Sequence, residues 1–450
     1  MSKITKIKRG LDIPLAGKAE KVIKKADTAQ YYAVKPIDFH GMRTKLMVKV
    51  GDKVKSGTPL FYNKLQSEAQ FTSPVSGEVV SVNRGERRKI LEVVVENDLK
   101  YEYEDFGAAD PSNIEREHVI EKMLQSGLWP VIRQRPYSVV ANPKDIPKAI
   151  FISAFNSAPL APDYDLIVKG EKENFQKGID ALTKLTNGKI HLNLNADYPP
   201  SEVFTKAKGV QINYFTGPHP SGNVGVQINK LDPINQGEVV WYVYPQDIIA
   251  IGRLFNKGIY DVSRVVALTG SEVKKPLYYR TIKGASISPL VKDNVKGGNL
   301  RYISGDVLTG TKINNEGYIG YFDDQITVIP EGDYYEFLGW AMPGFNKYSV
   351  SRSFWAWLRP DKKYRIDTNL KGGERAYVMS GEYEKVFPMD IYPVQLIKAI
   401  LIEDIELMEK LGIYEVDEED FALCEFICTS KTPVQSIVRK GLDLMRQEMS

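Results

Sequence analysis

The chain has 450 residues, 43% hydrophobic and 26% charged, with a net charge of +3; this is the composition of a globular chain of three or four domains. So small a charge argues against nucleic acid as a partner, and no run approaches the roughly 18 apolar residues of a membrane span. Two cysteines exclude a disulfide framework, and "MSKITKIKRGLDIP" lacks a signal-peptide core, so a reducing cytoplasmic location is expected.

From Val48 to Val82 short alternating runs are punctuated by Gly51-Asp52, Gly57 and Gly77, which predicts β-hairpins. The pattern resembles the biotinyl/lipoyl-type barrel-sandwich fold. Lys64 is the sole candidate for a carrier lysine, and "YNKLQSEAQ" lacks the motif that surrounds one, so a plain β-module is expected. "PSNIEREHVIEKMLQSG", Pro111 to Gly127, predicts a helix with a Ser112/Glu115 capping box and Gly127 at its end. "AIFISAF", "KIHLNLN" and "VQINYFTG" predict strands that alternate with the helical patterns "EKENFQKGIDALTKLTNG" and "PQDIIAIGRLFNKG". That alternation implies a parallel, Rossmann-like sheet with ligands at the strand C-terminal ends.

From about Val262 to Pro330 the chain turns β-rich, and an aromatic stretch follows with Phe337, Trp340, Phe345, Phe354, Trp355 and Trp357. Two helical patterns close the chain, "PVQLIKAILIEDIELMEKLG" and "TPVQSIVRKGLDLM"; Thr432 and Gln435 form a second expected capping box. The fold class expected is thus α/β multidomain. It comprises a barrel-sandwich module over 1–105, a Rossmann-like parallel α/β domain over 106–258 and a small β-grasp-like domain over 259–330. Residues 331–450 supply the aromatic segment and a helical domain.

One loop invites a cofactor reading. "YFTGPHPSGNVGVQIN" places Gly217, Pro218, His219, Pro220, Gly222 and Gly225 after a predicted strand. A phosphate cradle needs converging backbone N–H groups, and each proline removes one. Neither a P-loop ending nor G-x-G-x-x-G is present. His219, stiffened between prolines, suits an aromatic ligand or a partner surface, and a rigid structural turn explains it at least as well. His40, His118 and His191 show no metal-ligand spacing. Cys424-x-x-x-Cys428 matches the tail of a bacterial ferredoxin motif, yet the two preceding ligand positions are Glu418 and Phe421 and the closing proline is Thr429. Two thiolates alone cannot hold a four-iron cluster, so the pair reads as a degenerate Fe–S remnant with no metal.

Several stretches together, "IKRGLDIPLAG", "FTSPVSGEVVSVNRGERR", "SGLWPVIRQRPYS", "FTGPHPSGNVGVQINKLDP" and "FALCEFICTSK", resemble the NqrA family over essentially the full length. These are the A subunits of sodium-translocating NADH:quinone oxidoreductases, themselves similar to flavin- and cluster-binding subunits of the Rnf complex and complex I. In those relatives a glycine-rich loop after the first helix cradles flavin; here Leu128, Trp129 and Pro130 replace the glycines, and Asn223 and Val224 replace acids. The resemblance implies a peripheral subunit on the cytoplasmic face of the bacterial inner membrane, with no catalytic residue and no bound cofactor of its own. NADH, flavins and Fe–S centres would sit in partner subunits. Integral membrane subunits, the B subunit above all, are the implied partners, and quinone the implied ligand. Its candidate surfaces are the Gly217–Gly225 loop and the aromatic residues Trp340, Phe345 and Trp355. The alternative is an electron-transfer subunit with its own flavin or cluster, like the Rnf relative.

Overall fold

The computed structural model describes residues 4–339 and 341–449; Trp340 lies outside the described residues. Three apolar runs, Ala149–Ser153, Lys189–Asn195 and Gln211–Thr216, pair in parallel at the heart of a seven-stranded sheet. Ile4–Lys6 joins outside Gln211–Thr216, and Val240–Tyr242 lies outside Ala149–Ser153, both parallel. Beyond Val240–Tyr242 the sheet continues with an antiparallel hairpin, Arg133–Arg135 and Val139–Val140. Every residue of Ala149–Ser153 is buried, as a strand covered on both faces requires. The helices Lys172–Thr183 and Pro245–Lys257 touch through glycine: a Cβ at Gly178 would meet Ile248 O at 2.1 Å, and one at Gly252 would meet Asn174 O at 1.8 Å.

The N-terminal module is two small antiparallel sheets. One orders Tyr31–Val34, Ile90–Asn97, Gly77–Arg84 and Lys53–Val54; the other Thr44–Leu46, Pro59–Asn63 and Gln66–Thr72. Lys64 is exposed in the two-residue turn between Pro59–Asn63 and Gln66–Thr72. A third, six-stranded mixed sheet holds Thr311–Ile313, Leu300–Ser304, Gln325–Pro330, Ser263–Thr269, Leu277–Ile282 and Glu20–Lys25. The first residues of the chain thus serve two sheets outside the module they precede. One apolar core runs from Tyr32 through Trp129 and Ile248 to Val328.

Residues 331–382 contain no strand or helix among the described positions except the 3-10 turn Trp355–Leu358. The chain then closes in short helices, of which Pro393–Leu401, Ala422–Ile427 and Val434–Glu448 build a second core. That core reaches Ile7, Phe155 and Phe215 and so seats the helices against the parallel sheet.

Three local expectations are corrected. The first helix is Arg116–Ser126, after a separate 3-10 turn Pro111–Asn113 capped by Asp110, so Ser112 and Glu115 form no capping box; Gly127 does end it in the left-handed conformation. The pattern "PVQLIKAILIEDIELMEKLG" breaks into Pro393–Leu401 and Ile405–Lys410, because Asp404 accepts from the Leu407 amide and starts a new helix. Helix Val434–Glu448 has no side-chain cap at its start; the Gln435 amide bonds Glu425 Oε2 instead.

Candidate functional site

The glycine–proline loop sits where sequence periodicity puts it, beyond the C-terminal end of Gln211–Thr216 and just before helix Val224–Leu231. Its amides are already engaged. His219 N bonds Asp12 Oδ1 at 2.9 Å, Ser221 N bonds Pro218 O, Gly222 N bonds Ser157 Oγ at 2.8 Å and Asn223 N bonds Pro220 O. With those donors committed, the loop cannot converge them on a phosphate. The "IKRGLDIP" stretch stitches it down: Leu11 N bonds His219 O at 2.8 Å, and Gly10 and Gly217 lie so close to neighbouring carbonyls that a Cβ would strike His219 O and Ile7 O. Asp12 and Ser157 went unnoticed in the sequence because neither is near the loop in the chain.

His219 is buried with its Nδ1 3.0 Å from Ser157 Oγ. Burial pulls its pKa down to about 4, against the attraction of Asp12, so the ring is neutral at physiological pH. It borders a cleft of about 470 Å³ that also receives Gly222, Arg133, Tyr244, Asp324, Asp38 and Glu419. Four parts of the chain converge there: the parallel sheet, the six-stranded sheet, the N-terminal module and the C-terminal helices.

Arg133 and Arg135 are two apart on one strand and so share a face. The Arg133 guanidinium lies 4.1 Å from the Phe322 ring centroid, 4.6 Å from Tyr242 and 5.4 Å from Tyr244. Rings hold it by cation–π attraction, and Glu419 and Asp417 attract it without forming an ion pair with it among the described residues. Arg135 is fully buried and binds three acids: Glu419 at 2.7 Å, Asp420 at 2.9 Å and Asp417 at 3.7 Å. Gly225 makes room for this cluster, since a Cβ there would lie 2.6 Å from Asp420 Oδ2 and 3.0 Å from the Arg135 guanidinium.

Arg135 and Arg439 share these carboxylates unequally. Burial raises Glu419 to about 7, against the pull of Arg135. Burial also works on Asp417, but Arg135 and Arg439 together hold it below the usual carboxylate range. Across the cleft, burial pushes Asp38 up to about 6 despite Lys35 and a bond from the Tyr321 amide. The cleft therefore offers carboxylates whose protonated form burial favours, and one aromatic-backed cation with free donors. Sequence reasoning missed this set; the pair of arginines at i, i+2 in the quoted "VIRQRPYS" was its one legible signal.

The segment Leu128–Pro130 is filled. Trp129 is wholly buried, donates from Nε1 to Ala141 O at 2.8 Å, and meets Trp241 edge-on at 5.5 Å. Cys424 and Cys428 are buried as well. Tyr383 Oη donates to Cys428 Sγ at 3.0 Å, Phe421 packs on Phe387, and Glu418 pairs with Arg439 and His40. No group of three or more His, Cys, Asp or Glu is arranged to hold a metal among the described residues. Phe345 and Trp355 stand apart from the cleft, on an exposed segment; the structure does not bring the two predicted surfaces together.

Comparison with known proteins places the sequence among relatives. Residues 5–98 match the family described as the NqrA N-terminal barrel-sandwich hybrid domain, 114–260 the NqrA second alpha/beta domain, and 265–315 the NQRA C-terminal domain. The chain is 40% identical over 448 residues to the A subunit of the Na(+)-translocating NADH-quinone reductase of Yersinia pestis bv. Antiqua (strain Angola), covering 98% of this chain and 99% of that one. It is 41% identical over 450 residues to the protein of that name from Hahella chejuensis (strain KCTC 2396), at the same coverage. Among solved structures, the NAD+-reducing NiFe hydrogenase in the air-oxidized state aligns with a TM-score of 0.38 and 10% identity, over 74% of this chain and 63% of that one.

Proposed function

The chain belongs to the NqrA family, and on that premise we propose that it is a peripheral, cofactor-free subunit of a sodium-translocating NADH:quinone oxidoreductase. The whole complex oxidises NADH, reduces quinone and exports Na+. Flavins and Fe–S centres belong to partner subunits, and the chain docks on the integral membrane subunits, the B subunit among them, on the cytoplasmic face. Among the described residues no helix is long and apolar enough to cross a membrane, which fits docking rather than insertion.

The observation that carries the cofactor-free reading is Trp129. A flavin cradle needs an open loop of free amides, whereas here an indole fills the space, is hydrogen-bonded to Ala141 and packs on Trp241. Refilling it with flavin would require extracting one of the largest side chains of the core. The cysteine pair supports the same reading: the two positions where a cluster would need thiolates are occupied by Phe421, buried against Phe387, and Glu418, paired with Arg439.

A quinone head group is the ligand we assign to the cleft. Its carbonyls are acceptors without charge, and Arg133 supplies free N–H donors on an aromatic wall of Tyr242, Tyr244 and Phe322. Neutral His219 and Gly222 border the same space. In binding assays with a soluble short-chain quinone, Arg133→Gln and His219→Ala are each expected to weaken affinity while the circular dichroism spectrum is retained; unchanged affinity in both removes quinone from this cleft. For the role in the complex itself, membranes of a strain lacking the chain should lose Na+-stimulated NADH:quinone reduction and regain it when the gene is restored. Full activity without the chain contradicts the role.

A further inference from the structure

The segment from Met342 to Lys363 is unlike the rest of the surface. It is tied down by a few contacts, some within it and some to the residues just before it. Lys347 Nζ bonds Gly339 O at 2.9 Å and Glu336, and lies over the Phe354 ring. Phe345 meets Trp355 edge-on at 5.8 Å, and Lys362 Nζ bonds Phe345 O at 2.7 Å. Within the segment only Ala356 is buried, and Tyr364, the residue that follows it, is buried too and donates from Oη to Ala356 O. The 3-10 turn Trp355–Leu358 therefore turns its alanine inward and its large residues outward: Trp355 is 57% exposed, Trp357 50% and Leu358 58%.

Charge accompanies these side chains. From Met342 to Lys363 there are five cations, Lys347, Arg352, Arg359, Lys362 and Lys363, against one acid, Asp361. Arg352, Arg359 and Lys363 have no carboxylate partner among the described residues. Exposed tryptophans interleaved with unpaired cations, outside any spanning helix, are the composition of a segment that lies in the headgroup layer of an anionic membrane. Aromatic side chains and arginine also suit a protein interface, but lysine is depleted there, and three lysines with a single acid favour an anionic lipid surface.

We propose that residues 342–363 form a membrane-surface patch: the outward tryptophans and Leu358 enter the interface of an anionic bilayer while Arg352, Arg359 and Lys363 meet lipid phosphates. The patch works independently of the cleft and orients the chain on the bilayer beside its partners.

Co-sedimentation of the purified full chain with protein-free vesicles tests this. Binding is expected to vesicles of phosphatidylglycerol mixed with phosphatidylcholine, to weaken as salt is raised, and to be absent with phosphatidylcholine alone. Each neutralised cation in Arg352→Gln/Arg359→Gln/Lys363→Gln should lower affinity about fivefold, and Trp355→Ser/Trp357→Ser should abolish sedimentation while thermal unfolding stays unchanged. No binding to the anionic vesicles, or binding that neither variant weakens, overturns the proposal. If the chain binds stripped native membranes but not lipid vesicles, the patch is a protein contact and the lipid proposal fails, while the reading as part of the complex stands. If it binds vesicles but never co-purifies with membrane proteins, the patch stands and that reading fails.

Discussion

His219 shows how burial decides what a residue can do. Its imidazole takes a proton at about 4 in the fold, against an ordinary value of 6.5, because burial disfavours the charged ring. Between those values the unfolded chain binds more protons than the folded one, so stability falls as pH drops from about 6.5 to about 4. Denaturant unfolding at pH 7 and pH 4.5 should therefore show a smaller acid loss for His219→Gln than for the natural chain, by up to about 3 kcal/mol. An identical loss in both would mean the ring is solvated. Arg135 is the opposite case, a buried charge tied to Glu419, Asp420 and Asp417. Arg135→Gln leaves carboxylates unpaired and should cost about 3–5 kcal/mol in urea unfolding, part of it recovered by adding Asp420→Asn. Full additivity of the two changes would show that they do not share one network.

At the scale of elements, Trp129 closes the space after helix Arg116–Ser126. Trp129→Ala should destabilise by about 3–5 kcal/mol, as truncation of a large core aromatic does, without conferring flavin binding in an equilibrium titration; tight flavin uptake by the variant would show that the indole alone had blocked a working site. Elements of this kind were legible where the signal is periodic and long. The strands Ala149–Ser153, Lys189–Asn195 and Gln211–Thr216 and the helix Pro245–Lys257 stand where their apolar patterns put them. Helix starts were not: Asp110 caps a separate 3-10 turn and helix Arg116–Ser126 begins without a side-chain cap, Asp404 split one apolar stretch in two, and Glu425 bound the Gln435 amide. The cleft was only partly legible. Its loop announced itself by composition, whereas Arg133, Asp38 and Glu419 come from distant parts of the chain. Nothing local marks residues that meet only through folding.

For the molecule as a whole, the two cores explain why the ends of the chain matter. Ile4–Lys6 and Glu20–Lys25 complete two different sheets, and the C-terminal helices close the cleft with Glu419 and Arg439. The cleft is therefore assembled only in the complete fold. The most direct test is affinity purification of the tagged chain from detergent-solubilised membranes, followed by an absorbance spectrum of the particle and of the chain released from it. The account predicts a multisubunit particle with Na+-stimulated NADH:quinone reductase activity, and a released chain with no absorbance beyond the aromatic region. Recovery of the chain by itself, or stoichiometric flavin or iron–sulfur bands on the released chain, would contradict it.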